Sequence, residues 1–241
     1  QERFADGNDF TFYFVGSFEL EEIKPLIETY LGGLPIEDKK ERWKDRDVNY
    51  FTGKKSEVLR MGKEPKNLTY LIYTGPFYYH IKNRLDFTVI GKMLDIRLKE
   101  IVREKIGGVY SIGSYGWTSK YPDSDYAFII SFSCDPERRE LIIETINEEI
   151  LNLQETGIGQ VYLDKINKQL LQDYGEKLET NNFWLDTLKF YDWIHEPYAN
   201  IFYIEKNNQP AIQTYNQKLY ILLLPFFRSL HQIHRLIVIN H

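Results

Sequence analysis

The sequence predicts an α+β fold in which helices pack on one face of a largely antiparallel sheet. Segments with strand character and segments with helical periodicity are grouped along the chain rather than strictly alternating. Short connections of the hairpin type join several predicted strands, as antiparallel neighbours allow. The 241 residues are 43% hydrophobic and 27% charged, which supplies a core and argues against intrinsic disorder.

The first predicted elements are a strand and a helix. Residues Phe10–Phe18 are rich in aromatic side chains and predict a buried strand that Gly16 terminates. Apolar residues recur at helical spacing over Glu19–Leu31, and the glycine pair that follows ends this helix. Residues 36–50 are charged and predict a linker.

The next two predicted strands form a hairpin. Ser56–Met61 and Leu68–Thr74 have strand character, and Gly62–Asn67 between them is typical of a short turn-forming loop. We therefore expect these two strands to lie side by side in the sheet.

A long helix and a second pair of strands follow. Apolar residues fall on one face over Tyr78–Lys105, and Gly107 with Gly108 ends this helix. The strands Val109–Thr118 and Tyr126–Cys134 are joined by a loop rich in turn residues.

Three helices are predicted after the last of these strands. Asp135 is expected to cap the first of them, because Pro136 suits the first helical position. The acidic pair Glu148–Glu149 on this helix is expected to face solvent. Two more helices are predicted near residues 160–179 and 181–195.

Composition and motif content exclude several kinds of function. The chain has 30 Lys and Arg against 35 Asp and Glu, a net charge of −5, so we expect no nucleic-acid partner. No run of about 18 apolar residues is present, so we expect no membrane span. The histidines show neither H-E-x-x-H nor H-x-x-E-H spacing, so we expect no zinc site; they are His80, His195, His231, His234 and His241. The single cysteine, Cys134, is predicted to be a buried and inert thiol.

One short segment combines cations, glycines and an aromatic side chain: Arg103-Glu-Lys-Ile-Gly-Gly-Val-Tyr110. In one interpretation the cations and the glycine pair only terminate the helix. In the other, Arg103 and Tyr110 point the same way at a helix-to-strand corner, where a guanidinium and a phenol suit a peptide carbonyl or carboxylate. The residues alone leave both interpretations open.

This segment carries a family resemblance. It resembles the C-terminal half of the insulinase/pitrilysin family of zinc metallopeptidases, also called inverzincins. Three other segments share the resemblance: the C-D-P-E run that begins at Cys134, the opening FTFYFVGSFELEEIKPLIETYLGGLP, and Asn182-Phe-Trp-Leu185. The resemblance is to the non-zinc domain of long bacterial members, and it runs in order from about Phe4 to Glu205.

The resemblance implies a fold, a function and partners. The fold is a metallopeptidase-family αβ domain of the LuxS/mitochondrial processing peptidase-like type. Two halves enclose a chamber; the amino-terminal half carries the zinc, and the half seen here supplies an Arg and a Tyr to the shared site. By this resemblance Arg103 holds substrate backbone and Tyr110 stabilises the oxyanion. The implied partners are the zinc-bearing half and a peptide substrate. Zinc is expected in the parent protein and no cofactor in this fragment, which alone should be inactive.

Several further expectations follow from the resemblance. An alternative function is a non-catalytic scaffold or assembly subunit of the same family. Residues 1–206 are expected to form the peptidase-type domain, and residues 207–241 an atypical tail. If the tail lacks the family's last strand, the exposed sheet edge is expected to support a homodimer. Tyr115, Trp117 and Tyr121 are expected to touch peptide. The long bacterial members are periplasmic or in the cell envelope.

Overall fold

A computed structural model describes residues 6–37, 42–50, 53–60, 66–107, 109–203 and 235–240, with the backbone alone for 103–105 and 235–240. The chain divides into two units: residues 1–48 with 173–201, and residues 49–172 with 202–241. In chain order the elements are α1 (Leu20–Tyr30), β1 (Ser56–Arg60), β2 (Asn67–Pro76), α2 (Ile81–Lys105), β3 (Val109–Ser119), β4 (Asp125–Cys134), a 3₁₀ turn (Pro136–Arg138), α3 (Arg139–Thr156), α4 (Gln160–Leu178), α5 (Asn181–Trp193), a second 3₁₀ turn (Tyr198–Phe202) and β5 (Arg235–Asn240).

The larger unit contains a five-stranded sheet in the order β1-β5-β2-β4-β3. Strands β2 and β4 pair antiparallel over their whole length, from Asn67 opposite Cys134 to Pro76 opposite Asp125. The pairs β2–β5 and β3–β4 are also antiparallel, and β1–β5 is parallel. The predicted α+β fold with a largely antiparallel sheet is therefore confirmed.

Helices cover one face of this sheet. Along β2, Leu71 and Tyr73 are almost fully buried, whereas Leu68 and Ile72 on the opposite face are half-buried. This alternation follows from the two-residue period of a strand. The buried face of the sheet and the helices share one core, whose largest fully buried members include Leu71, Tyr73, Met93, Leu94, Leu98, Ile130, Phe132, Ile142, Ile146, Leu163 and Ile166.

A polar network joins the helices of the larger unit. The Arg97 guanidinium on α2 donates through Nε to Glu149 Oε1 on α3 at 2.8 Å and through Nη1 to the Tyr162 hydroxyl on α4 at 3.0 Å. The prediction that Glu149 faces solvent was wrong, since only 6% of this residue is exposed. A buried carboxylate needs such a partner because desolvation disfavours its charge; its neighbour Glu148 is exposed.

The predicted hairpin between β1 and β2 is not formed. Strand β5 lies between them and pairs with both, placing Leu236 opposite Ser56 of β1 and opposite Leu71 of β2. The reason is that a distant segment competes successfully for the facing edges of two strands close in sequence. Residues 235–240 thus supply a further strand, so the condition attached to the expected dimer, a missing last strand, is not met. The rest of the predicted tail, residues 207–234 and 241, and the loop residues 61–65 lie outside the described residues.

The smaller unit contains α1 and α5 but no strand over Phe10–Phe18. The prediction of a buried strand was wrong in both respects. The segment forms no strand, and Phe10, Phe12 and Phe14 are each more than a third exposed. A strand exists only as part of a hydrogen-bonded ladder, and no described segment pairs with this one. Within the unit the Tyr13 hydroxyl donates to the Asp192 carboxylate of α5, and this hydrogen bond raises the pKa of Tyr13 to about 12.

The predicted helices are confirmed with small shifts at their ends. Helix α2 begins at Ile81, after His80, whose ring nitrogen Nδ1 accepts the Lys82 N–H at 3.2 Å. Helix α5 begins after Thr180, whose hydroxyl accepts the Phe183 N–H at 3.3 Å. Each cap satisfies a backbone donor that the first turn leaves without a partner.

Replacing Gly116 of β3 by alanine should destabilise the protein. A Cβ there would lie 2.7 Å from Phe87 Cε1 and 2.8 Å from the backbone oxygen of Ala127, so the core must shift. We expect a loss of about 1–3 kcal/mol in the free energy of unfolding, measured by urea denaturation. Gly113→Ala in the same strand is the matched control, because its Cβ meets only Asp95 Oδ1, at 3.6 Å. Equal stability of the two variants would contradict the packing argument.

Candidate functional site

The corner between α2 and β3 is built around Gly107. The last helical hydrogen bond runs from the Ile106 N–H to the Val102 oxygen at 3.3 Å, and Gly107 then adopts φ +59°. This left-handed conformation strains a residue that has a Cβ, so glycine is the natural choice. The predicted termination of the long helix by Gly107 is confirmed; Gly108 lies outside the described residues.

Arg138 holds this corner from the neighbouring turn. Its Nη1 donates to the carbonyl oxygens of Ile106 at 2.6 Å and Gly107 at 2.9 Å. Carbonyls at a helix C-terminus have no partner within the helix and carry partial negative charge, so a guanidinium both satisfies and neutralises them. The sequence did not predict this contact, because Arg138 lies 31 residues after Gly107 and no local pattern indicates a hydrogen bond over that separation.

Tyr110 presents its ring to solvent at the start of β3. The residue is 60% exposed, and Lys66 Nζ lies 6.0 Å from the ring centroid. Its hydroxyl donates to Asp135 Oδ1 at 2.7 Å. This hydrogen bond, followed by repulsion from the Asp135 charge, raises the pKa of Tyr110 above its ordinary value. The phenol is therefore held in its neutral, proton-bearing form.

Asp135 does not play its predicted part as a helix cap. Pro136 does occupy the start of the 3₁₀ turn before α3, but the Asp135 side chain makes no capping hydrogen bond. Its carboxylate accepts the Tyr110 hydroxyl instead. The physical reason is competition between a local backbone donor and a phenol that the sheet register brings alongside, and the phenol prevails here.

Arg103 lies in the last turn of α2, two residues before the helix ends at Lys105. The backbone thus places Arg103 and Tyr110 on the two arms of one corner. The side chain of Arg103 lies outside the described residues, as do those of its next two neighbours. The predicted pairing of its guanidinium with Tyr110 at a shared site stays a prediction.

The aromatic residues that follow Tyr110 are partly exposed. Tyr115 and Trp117 lie on the same face of β3 and stack with ring centroids 6.4 Å apart and planes at 25°. Trp117 Nε1 donates to the Tyr50 hydroxyl at 3.3 Å. Tyr121, in the loop after β3, is 37% exposed. These side chains form an accessible aromatic surface, whose contact with peptide stays a prediction.

A cleft of about 430 Å³ lies along β3, and Tyr115 is among the residues that line it. It is lined by residues of α2, β3 and α4, and Tyr110 is not among them. At its edge Asp95 accepts the Ser114 N–H at 3.2 Å and pairs with Lys99 at 2.7 Å. Asp95 thereby covers a backbone donor that an edge strand would otherwise leave open.

No group of three or more His, Cys, Asp or Glu side chains that could hold a metal ion occurs among the residues that the structure describes. His80 caps α2, and His195 follows α5 with a positive φ of 53°. The other three histidines lie outside the described residues. Within the described helices, none is long and apolar enough to cross a bilayer.

The family model described as "Peptidase M16 inactive domain" matches residues 1–170. The match covers most of the chain, and the chain belongs to this family. The resemblance to the insulinase/pitrilysin peptidases is therefore confirmed.

Comparison with individual proteins leads to zinc proteases and their solved structures. The chain is 28% identical over 165 residues to the probable zinc protease PqqL of Haemophilus influenzae, covering 68% of this chain and 18% of that protein. The periplasmic protease PqqL of Escherichia coli has the same fold with a TM-score of 0.72 and 16% identity, covering 93% of this chain and 24% of that one. A protease from Helicobacter pylori superimposes with a TM-score of 0.76 and 15% identity, covering 94% and 54%. The chain spans about a fifth of the length of the curated relatives it matches.

Cys134 is expected to resist alkylation in the native protein. It ends β4, is fully buried as predicted, and burial raises the pKa of its thiol to about 11. Iodoacetamide at pH 8 should therefore modify it only after unfolding in urea, as measured by mass spectrometry.

The same thiol should make stability depend on pH. Because the unfolded thiol ionises at about pH 8.5 and the folded one does so later, stability is full below that pH and declines above it. Cys134→Ala should lack this part of the decline. Rapid native alkylation, or identical pH slopes for wild type and Cys134→Ala, would contradict the assignment.

Proposed function

We propose that this chain is the non-zinc part of a zinc metalloendopeptidase and contributes substrate binding and oxyanion stabilisation to a site whose metal lies in the amino-terminal half. Its membership of the inactive-domain family and the zinc proteases among its relatives support this assignment. Among the residues that the structure describes, no cluster of three or more His, Cys, Asp or Glu side chains could hold a metal ion.

The exposed phenol of Tyr110 is the observation that carries the proposal. It stands at the corner that also bears Arg103, is more than half accessible, and is neutral at physiological pH, with a pKa that its hydrogen bond to Asp135 raises further. A neutral phenol donates one hydrogen bond to an oxygen that gains negative charge as the peptide carbonyl is attacked. A guanidinium at Arg103 supplies a planar pair of donors for the substrate backbone or a carboxylate.

The partners in this proposal are the zinc-bearing half of the same protein and an extended peptide. Tyr115 and Trp117 offer flat apolar surface to side chains of such a peptide. Self-association through a sheet edge stays a separate hypothesis. The edges concerned are β3 and β1, the outer strands of the described sheet. Sedimentation velocity of the purified chain tests this hypothesis.

Tyr110→Phe should lower kcat more than it raises KM in the assembled enzyme. A hydrogen bond made only to the developing oxyanion stabilises the transition state and not the bound substrate. We expect kcat to fall by about 10²-fold, measured with a fluorogenic peptide. Tyr78→Phe is the matched control, since Tyr78 is 81% exposed. An unchanged kcat for Tyr110→Phe would remove the oxyanion role.

Zinc analysis separates this proposal from the alternative of a non-catalytic scaffold. The purified chain should bind no stoichiometric zinc and cleave no peptide, whereas the full-length parent should contain about one zinc per chain and an H-x-x-E-H motif before residue 1. A parent that lacks both the motif and the metal would favour the scaffold. Tight zinc together with peptidase activity in the chain alone would contradict both functions.

A further inference from the structure

The hydroxyl of Tyr110 has a single proton, and in this structure that proton is committed. The O–H donates to Asp135 Oδ1 at 2.7 Å, which leaves only lone pairs on the phenol oxygen for any other group. A substrate oxygen that takes this hydrogen bond must therefore displace Asp135 as its acceptor.

The sheet register brings these two side chains together. Cys134, the last residue of β4, lies opposite Val109, the first residue of β3. Tyr110 and Asp135 each follow one member of this terminal pair, and the register shifts between Val109 and Ser111. Because the strands are antiparallel, Tyr110 continues into β3 while Asp135 leaves the end of β4. The two residues therefore lie diagonally across the end of the ladder, and the long phenol side chain spans the gap to the carboxylate.

Backbone constraints fix the acidic side of the contact as well. Pro136 starts the 3₁₀ turn directly after Asp135, which has an extended backbone with φ −63° and ψ 139°. One turn later, Arg138 binds the carbonyls of Ile106 and Gly107. The segment 135–138 therefore holds the corner at two points, through the phenol and through the helix end.

We propose that Asp135 is a positioning residue for Tyr110: its carboxylate fixes the phenol at the helix–strand corner and holds the hydroxyl proton until a peptide oxygen takes the hydrogen bond. This inference rests on the proposed function of Tyr110. The Asp135 carboxylate makes no capping hydrogen bond in the turn that it begins, and the bond that the geometry gives it is the one from the Tyr110 hydroxyl.

The contact can be tested in this chain without the zinc-bearing half. Nuclear magnetic resonance of protein labelled at tyrosine Cζ follows each phenol, and Tyr110→Phe assigns the signal. Asp135→Ala should shift the titration of Tyr110 to lower pH, because the anion that disfavours phenolate is gone. Lys66 and Cys134, the other titratable groups found beside the ring among the described side chains, stay in place. Glu137→Ala, an exposed acid two residues on, should leave the titration unchanged. An unshifted titration in Asp135→Ala overturns the proposal.

The functional consequence is tested by a double-mutant cycle in the assembled enzyme. Asp135→Ala should lower kcat/KM by about 10- to 100-fold, as the loss of a supporting residue does. In the Tyr110→Phe background the same change should have no further effect, since a residue that acts only through Tyr110 has nothing left to position. Asp135→Asn, whose amide oxygen still accepts the hydroxyl, should recover part of the rate.

The possible outcomes separate a failure of the proposed function of Tyr110 from a failure of the positioning role of Asp135. If Tyr110→Phe leaves kcat/KM at the wild-type value, the proposed function fails and this inference fails with it. If Tyr110→Phe is impaired while Asp135→Ala keeps the wild-type rate or exceeds it, the inference alone fails. Equal losses from Asp135→Ala in both backgrounds would show a purely structural role and overturn it; circular dichroism of each variant confirms that it is folded.

Discussion

The antiparallel ladder between β2 and β4 is the constraint on which the larger unit depends. Its ten paired positions sort alternate side chains to the two faces, so that one face is buried under helices. The same ladder aligns β3 on one side and β5 on the other. The β3–β4 pairing places Cys134, the last residue of β4, opposite Val109, so that Asp135 leaves the sheet within reach of the Tyr110 hydroxyl. The candidate site is thus a product of strand register, and the helix C-terminus is fitted to it by Arg138.

Local signals in the sequence were enough for much of this fold. The apolar face of α2 and the glycine that ends it depend on residues close together in the chain, and both were predicted. The segment Phe10–Phe18 has strand composition but no ladder partner among the described residues, and composition does not report on partners. Strand β5 was missed although Leu236–Ile239 is a β-branched apolar run typical of a strand. Its place between β1 and β2 depends on pairing with distant strands, which a local pattern does not encode.

The candidate site divides in the same way. Arg103 and Tyr110 came from a motif of fixed spacing, which a sequence displays directly. Asp135 was noticed for a local reason, an aspartate before a proline, and the structure gives its carboxylate a different partner. Arg138 gave no signal, because a surface arginine next to a glutamate is ordinary in any helix start. Supporting residues of this kind act through tertiary contacts, and the sequence shows only that their side chains have suitable chemistry.

The position of β5 also constrains how the chain can fold during synthesis. Ser56 pairs with Leu236, and β1 has no other ladder partner among the described strands, so its backbone donors stay open until residues 235–240 have been made. Contacts between segments so far apart in sequence are slow to form, because a long loop must close first. During synthesis, β2, β4 and β3 can pair before β5 has been made. One edge of β2 is then uncovered and open to pairing with other chains. The strand that completes the sheet therefore also closes the edge of β2 that the earlier strands leave open.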